Sequence, residues 1–417
     1  MNIRSVRATG TEGGWYVDDK PAFVAGALID HYLVHGVPPT AGFERIREPG
    51  QAVCVLIELD DGTIAVGEGG SVTYAGIAGR DPVLRATEAV ATVERVVAPV
   101  LAGAEVGRFR LLEHALRQIE LPEGRLHTGI SYAVSGALLS AVALARREPP
   151  AVTIAREWGL AIPVTNPRIG IQTGDDRHNG VDKAIYRRVE AFPHGLIKHV
   201  ESDFGPRGEL LLDYARWIMH RLIDHDAPDD YRPAIHFDCY GTIGRAFSLD
   251  IDAMVRYLGT LAEVVRPLQL QIEAPVEAES QEQQLGIMRE LKQALRMLPH
   301  PAPVIIADEW CNTLDDVRAF ATAEAADTVQ IKMPDLGFVG DSIEAALICR
   351  QHGIGAYLGG SCNETDTSAR LAVHIAVATG CDQMLARPGM GVDEGVSIMR
   401  NELARLRHWL RTHATAD

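Results

Sequence analysis

Four short β-rich runs, each ending on a charged side chain at a regular interval, constrain this chain more than any other feature. Ala-Ile-His-Phe-Asp238, Leu-Gln-Leu-Gln-Ile-Glu273 and Val-Ile-Ile-Ala-Asp308 place carboxylates 35 residues apart, and Thr-Val-Gln-Ile-Lys332 follows 24 residues later. Each run is followed by turn residues and an amphipathic stretch, which is β/α alternation. If the four strands are parallel neighbours in a barrel, all four side chains emerge at its C-terminal rim. There, three hard oxygen ligands suit Mg²⁺, with an amine base beside them. Such a site removes protons next to carboxylates.

The alternation extends well beyond these four runs. After Pro163, strand candidates near Ile169, Ile197, Ile235, Leu268, Val304, Val329, Ala356 and Met384 are separated mostly by helix-length segments, among them 209–223, 251–265, 281–298, 314–325 and 343–351. This α/β pattern predicts a TIM-type (β/α) barrel. The first 160 or so residues read differently: a hairpin over 53–71 about Asp61-Gly62, then helical periodicity at 83–101, 108–119 and 130–147. Strands followed by helices make an α+β unit. At 417 residues the chain exceeds the usual single core. The expected division is an N-terminal domain over 1–162, a barrel over 163–390 and a C-terminal helical segment over 391–417, whose stretch 401–412 could return to the first domain.

A formal charge of −16, with no Lys/Arg-rich block, argues against nucleic acid as a partner. The cysteines at 54, 239, 311, 349, 362 and 381 form no C-x-x-C pair and read as reduced thiols of a cytoplasmic enzyme. The opening residues lack a signal peptide's apolar core, and the longest apolar stretch, near 136–145, is shorter than a bilayer span. No membrane partner is therefore expected. The glycine-rich segments at 67–70 and 389–395 lack both the P-loop and the G-x-G-x-x-G spacing, so nucleotide binding is not supported.

Singly, a carboxylate at a strand end is most often a helix cap or an ion-pair partner. Three on consecutive strands would repel one another unless a cation sat between them. Gln330 and Lys332 share one strand face, with Ile331 turned away. Burial and a nearby cation would lower the Lys332 pKa toward that of a general base, whereas the plainer reading is a salt bridge to a ligating carboxylate. His194 falls near the second barrel strand, across the ring from Lys332. Gln172, in Gly170-Ile171-Gln172-Thr-Gly, offers an amide that binds a carboxylate or caps a loop. The segment 359–365, after the seventh strand, offers backbone N–H groups and the Ser361 hydroxyl to an anion, or is a tight turn.

Asp, Glu and Asp on successive strands with Lys on the next resembles the enolase superfamily, a use of Lys with Mg²⁺ that is a known pattern. His-Phe-Asp238-Cys-Tyr-Gly-Thr-Ile-Gly, Ala-Asp308-Glu-Trp-Cys-Asn-Thr, Val-Gln330-Ile-Lys332-Met-Pro-Asp-Leu-Gly, Gly-Gly-Ser361-Cys362-Asn-Glu-Thr and Arg-Pro-Gly-Met-Gly-Val-Asp-Glu-Gly are similar to the methylaspartate ammonia-lyase family, as are Gly79-Arg-Asp-Pro and Arg125-Leu-His-Thr. The resemblance runs from near Asp18 to Glu402. It implies an enolase-type modified barrel with an N-terminal capping domain, a homodimer, and Mg²⁺ together with a monovalent cation such as K⁺. The implied reaction is reversible loss of ammonia from threo-3-methyl-L-aspartate to give mesaconate, through a metal-stabilised enediolate. Matched position by position, Asp238, Glu273 and Asp308 are metal ligands, Lys332 the base, and His194 an electrostatic stabiliser and opposite-face acid/base. Gln172, Gln330, Ser361 and Cys362 would hold substrate carboxylates, and Tyr357 and Leu385 would line a methyl pocket. Three positions depart from the family: Ser361 replaces Thr, Gly170 replaces an aromatic, and Thr73 replaces a Gln near the substrate amine. The competing expectations are another superfamily lyase, dehydratase or racemase of a related amino or hydroxy diacid, and a non-catalytic metal scaffold.

Overall fold

The computed structural model describes residues 1–417 apart from 31, 78, 123, 175, 299–301, 362, 388–391 and 414–417. The hairpin read from the sequence forms the strands Arg47–Leu59 and Ile64–Gly70, turning at Gly62 (φ 86°), and Ile3–Asp18 adds an antiparallel strand on the far edge of Arg47–Leu59. The helix Thr128–Arg146 lies directly on Ile64–Gly70. A Cβ at Gly67 would sit 2.2 Å from the Ala133 carbonyl and the Ala137 nitrogen, and one at Gly69 would sit 2.2 Å from the Gly129 carbonyl. The glycines at 67 and 69 thus serve close backbone packing.

Thr128–Arg146 is longer than the apolar stretch expected from the sequence. With a mean hydropathy of 1.6 over its most apolar window it is long and apolar enough to cross a membrane, but 78% of that window is buried inside the fold. It forms the core of the N-terminal unit. All five described cysteines are free and buried.

Eight parallel strands close the barrel in the order Arg168–Gly170, Ala191–His194, Ala234–Asp238, Leu270–Glu273, Val304–Ala307, Thr328–Ile331, Gly355–Leu358 and Gln383–Leu385. Ile251–Val265 is helical as expected, and Gln281–Leu295, Leu314–Thr322 and Val339–Gln351 fall near their expected places. The second strand lies upstream of the predicted Ile197. Pro193 reads as a strand breaker, yet it pairs in register with His236, and the chain leaves the sheet at Gly195 (φ 78°). The last helix, Asp393–His413, falls within the expected C-terminal helical segment. It packs on the barrel helix Asp366–Thr379, while Arg400 donates to the carbonyls of Arg187 and Arg188 at 2.7 and 2.8 Å and Arg407 to that of Pro163 at 2.7 Å. Thr128–Arg146 also packs against the short helix Met333–Leu336, so the N-terminal unit covers the rim where the sixth strand ends.

Candidate active site

Asp238 and Glu273 close the third and fourth strands as register partners, and Asp308 and Lys332 directly follow the fifth and sixth. Just beyond these strand ends the chain turns through left-handed residues: Tyr240 (φ 47°), Ala274 (φ 45°) and Trp310 (φ 64°). His194, at the end of the second strand, has φ 60° itself. Each such conformation costs about 1–3 kcal/mol in a non-glycine residue and persists only where the surroundings enforce it. Asp238, Glu273 and Asp308 are buried, and all three line one cavity with Lys332, His194, Gln172, Gln330, Ser361, Leu385 and Thr73.

Burial, and then the charge of Asp308, pushes the Asp238 carboxyl up to about 8. Glu273 is raised by burial and by Asp238 and Asp308. Asp308 is raised as well, chiefly by burial, although Lys332 opposes that shift. Asp308 thus hinders the ionisation of both other carboxylates, and the oxygens of all three are the donor type that Mg²⁺ takes. Glu273 also accepts from Gln330 Nε2, and His236 Nε2 lies 2.9 Å from its other oxygen.

Lys332 forms the salt bridge that is the plainer reading of its position. Its Nζ lies 2.6 Å from Asp308 Oδ1, and although burial acts to lower its pKa, Asp308 and Glu309 outweigh burial and raise it. His194 stands on the second strand, across the ring from the sixth, and burial followed by the charge of Lys332 lowers its pKa to about 3, so it is neutral.

The N-terminal unit supplies the rest of the cavity wall. Thr73 Oγ1 meets Ser361 Oγ at 3.2 Å, and Val72, Tyr74 and Arg80 also line the space. Glu364 accepts from the Ser361 backbone N–H at 2.8 Å and pairs with the buried Arg387, which fixes the loop on which Ser361 sits. Cys362 lies outside the described residues. Leu385 reaches the cavity, while Tyr357 packs behind it with Ile306. A Cβ at Gly170 would meet the Gln383 amide nitrogen at 3.2 Å and Ala191 Cβ at 3.6 Å, whereas Thr73 lines the cavity.

Three participants were not singled out from sequence. Arg80 donates to Asp335 at 2.8 Å and to Asn312 at 2.9 Å and pairs with Glu309 at 3.4 Å. Glu309 is held well below the carboxylate range: burial alone would raise it, but Arg80, Lys332 and Lys20 outweigh burial. His236 shares a strand face with Asp238, and that alternation was the available signal.

Comparison with known proteins follows the same lines. The family profile for the methylaspartate ammonia-lyase N-terminus matches residues 1–159, and that for its C-terminus matches 162–412. Methylaspartate ammonia-lyase 1 of Carboxydothermus hydrogenoformans is 44% identical over 409 residues, covering 97% of this chain and 96% of its own. The Mg complex of β-methylaspartase from Clostridium tetanomorphum superposes with a TM-score of 0.94 at 39% identity, covering 99% of this chain and 100% of its own. The Citrobacter amalonaticus methylaspartate ammonia lyase containing (2S,3S)-3-methylaspartic acid gives 0.96 at 37% identity, with the same coverage. Muconate lactonizing enzyme from Pseudomonas fluorescens, at 18% identity and a TM-score of 0.61, shares the fold.

Proposed function

The chain belongs to the methylaspartate ammonia-lyase family, and on that premise we propose that it catalyses the reversible, Mg²⁺-dependent elimination of ammonia from threo-3-methyl-L-aspartate to give mesaconate. The observation that carries this reading is the ring of three buried carboxylates beside Lys332 in one closed-in cavity. Asp238, Glu273 and Asp308 would hold the dication. When bound, it supplies fixed positive charge to the substrate carboxylate that gains electron density as the C3 proton leaves.

Lys332 takes that proton. Burial and the positive charge of Arg80 favour the neutral amine that a base requires, against the charges of Asp308, Glu309 and Asp335. His194, neutral and on the opposite side of the ring, is placed to donate a hydrogen bond to the reacting face or to exchange a proton there. Gln172, Gln330 and Ser361 offer two amides and a hydroxyl to the substrate carboxylates, with Cys362 as a further candidate. Leu385, backed by Tyr357, forms the apolar wall for the methyl group. Thr73 faces the side assigned to the amino group, and its short side chain leaves room there. K⁺ as a second cation, a homodimer, a cytoplasmic setting and the division at 1–162, 163–390 and 391–417 complete the proposal on the same family likeness.

The test is a spectrophotometric assay for the conjugated diacid formed from threo-3-methylaspartate with Mg²⁺ and K⁺. The expected result is turnover that EDTA abolishes and added Mg²⁺ restores. No chromophore from this substrate, with one from another amino or hydroxy diacid of a panel, would move the reaction elsewhere in the superfamily.

A further inference from the structure

On the barrel wall beside the carboxylate ring, His194, His236 and Glu273 each offer one ligand atom, and these atoms all lie within 4.8 Å of one another. His236 Nε2 is 2.9 Å, and His194 Nδ1 3.9 Å, from the same oxygen of Glu273. Donor atoms around a tetrahedral ion with bonds near 2.0–2.1 Å stand roughly 3.3 Å apart, so small side-chain shifts suffice to close the set on an ion. His194 is 4% exposed, and its Nδ1 has no hydrogen-bond partner among the described residues. A buried ring nitrogen without a hydrogen-bond partner is unusual unless a ligand completes it.

We propose that His194 Nδ1, His236 Nε2 and the Glu273 carboxylate form a second metal site, selective for a borderline transition ion such as Zn²⁺ or Co²⁺, which competes with Mg²⁺ because both sites need Glu273. Two imidazoles and one carboxylate are the donors that Zn²⁺ and Co²⁺ prefer over Mg²⁺. The tautomer also has a partner ready: the Gln383 amide lies 3.4 Å from His236 Nδ1, and its Oε1 has no other partner. Turning that amide over would let Oε1 accept from Nδ1–H and leave the Nε2 lone pair for the ion, as outer partners of metal-bound histidines do. Occupation would take Glu273 and His194 out of the reaction, so micromolar transition metal would inhibit an enzyme that Mg²⁺ activates. The competition rests on the reading of Asp238, Glu273 and Asp308 as the Mg²⁺ ring.

Visible absorption of Co²⁺ added to the metal-free full chain tests this. The expected result is a strong low-coordinate band that weakens at least tenfold in H194Q and in H236Q, persists in D238N and D308N, and is displaced by Zn²⁺ and by excess Mg²⁺. A band unchanged in both histidine variants, or lost in both aspartate variants, would overturn the site. A histidine-dependent band that Mg²⁺ fails to displace leaves the site standing and counts against the Mg²⁺ reading of the ring.

Discussion

Arg80 of the N-terminal unit donates through Nε to Asp335 Oδ2 at 2.8 Å, an ion pair in which both side chains are 4% exposed. The same guanidinium reaches Glu309 and Asn312, so one side chain ties the turns that follow Asp308 and Lys332 to the covering domain. Burial opposes its charge, but Asp335 and Glu309 outweigh burial. Arg80→Ala takes the guanidinium from buried Asp335 and leaves Glu309 to Lys20 and Lys332, a loss of about 3–5 kcal/mol. Chemical denaturation should show that drop. Arg80→Lys keeps the charge without the fork, and its loss should be smaller in stability but clear in kcat, because Asp308 and Lys332 lose their common brace.

Lys332→Ala should lower kcat on threo-3-methylaspartate by about 10²–10⁴-fold, the range a positioned general base contributes. Mg²⁺ affinity, read by calorimetry, should hold or rise, because Asp308 loses the ammonium now 2.6 Å away. Rates near wild type would remove Lys332 as the base.

What could be read in advance, and what could not, follows the range of the interactions. Asp238, Glu273, Asp308 and Lys332 were legible because strand ends and turns are local signals, and a parallel barrel converts that regularity into one rim. The Lys332 pKa depends on a distance to Asp308, 2.6 Å, and not on strand position, so no local pattern states it. Arg80 was illegible for the same reason: its partner Asp335 is 255 residues away, and no local pattern announces the pair. The packing partner of the last helix stayed open in the sequence because an amphipathic stripe states that a face is buried, not what buries it. Its actual contacts, with Asp366–Thr379 and with the carbonyls near 163 and 187, are again long-range.

Gly67→Ala and Gly286→Ala should move stability in opposite directions. At Gly67 the new methyl would meet backbone of Thr128–Arg146 at 2.2 Å, and neither strand nor helix can shift without disturbing the core, so a loss of about 3 kcal/mol is expected. At Gly286, inside the helix Gln281–Leu295, a Cβ meets nothing within 4 Å, and lower unfolded-state entropy with better helix propensity should stabilise by about 0.5–1 kcal/mol. Thermal melts of the two variants beside the parent decide both signs.

The attachment of the C-terminal helix should be acid-sensitive through Glu402. This carboxylate sits 3.2 Å from His374 and 3.3 Å from Arg370 on the helix Asp366–Thr379, and 2.7 Å from Arg405 on its own helix. Burial alone would raise its pKa, but the hydrogen bond and charge of His374, with those of Arg405, bring it down to about 2 from 4.5. A folded-state value below the unfolded one means the stabilisation is complete above about pH 4.5 and is lost as pH falls toward 2. The exchange protection factors of Asp393–His413, taken against the intrinsic rate at each pH, should therefore fall over that window before those of the barrel core. Glu402→Gln should show the lower protection already at pH 7 and flatten its pH dependence, and an unchanged profile in that variant would assign the acid response to another group.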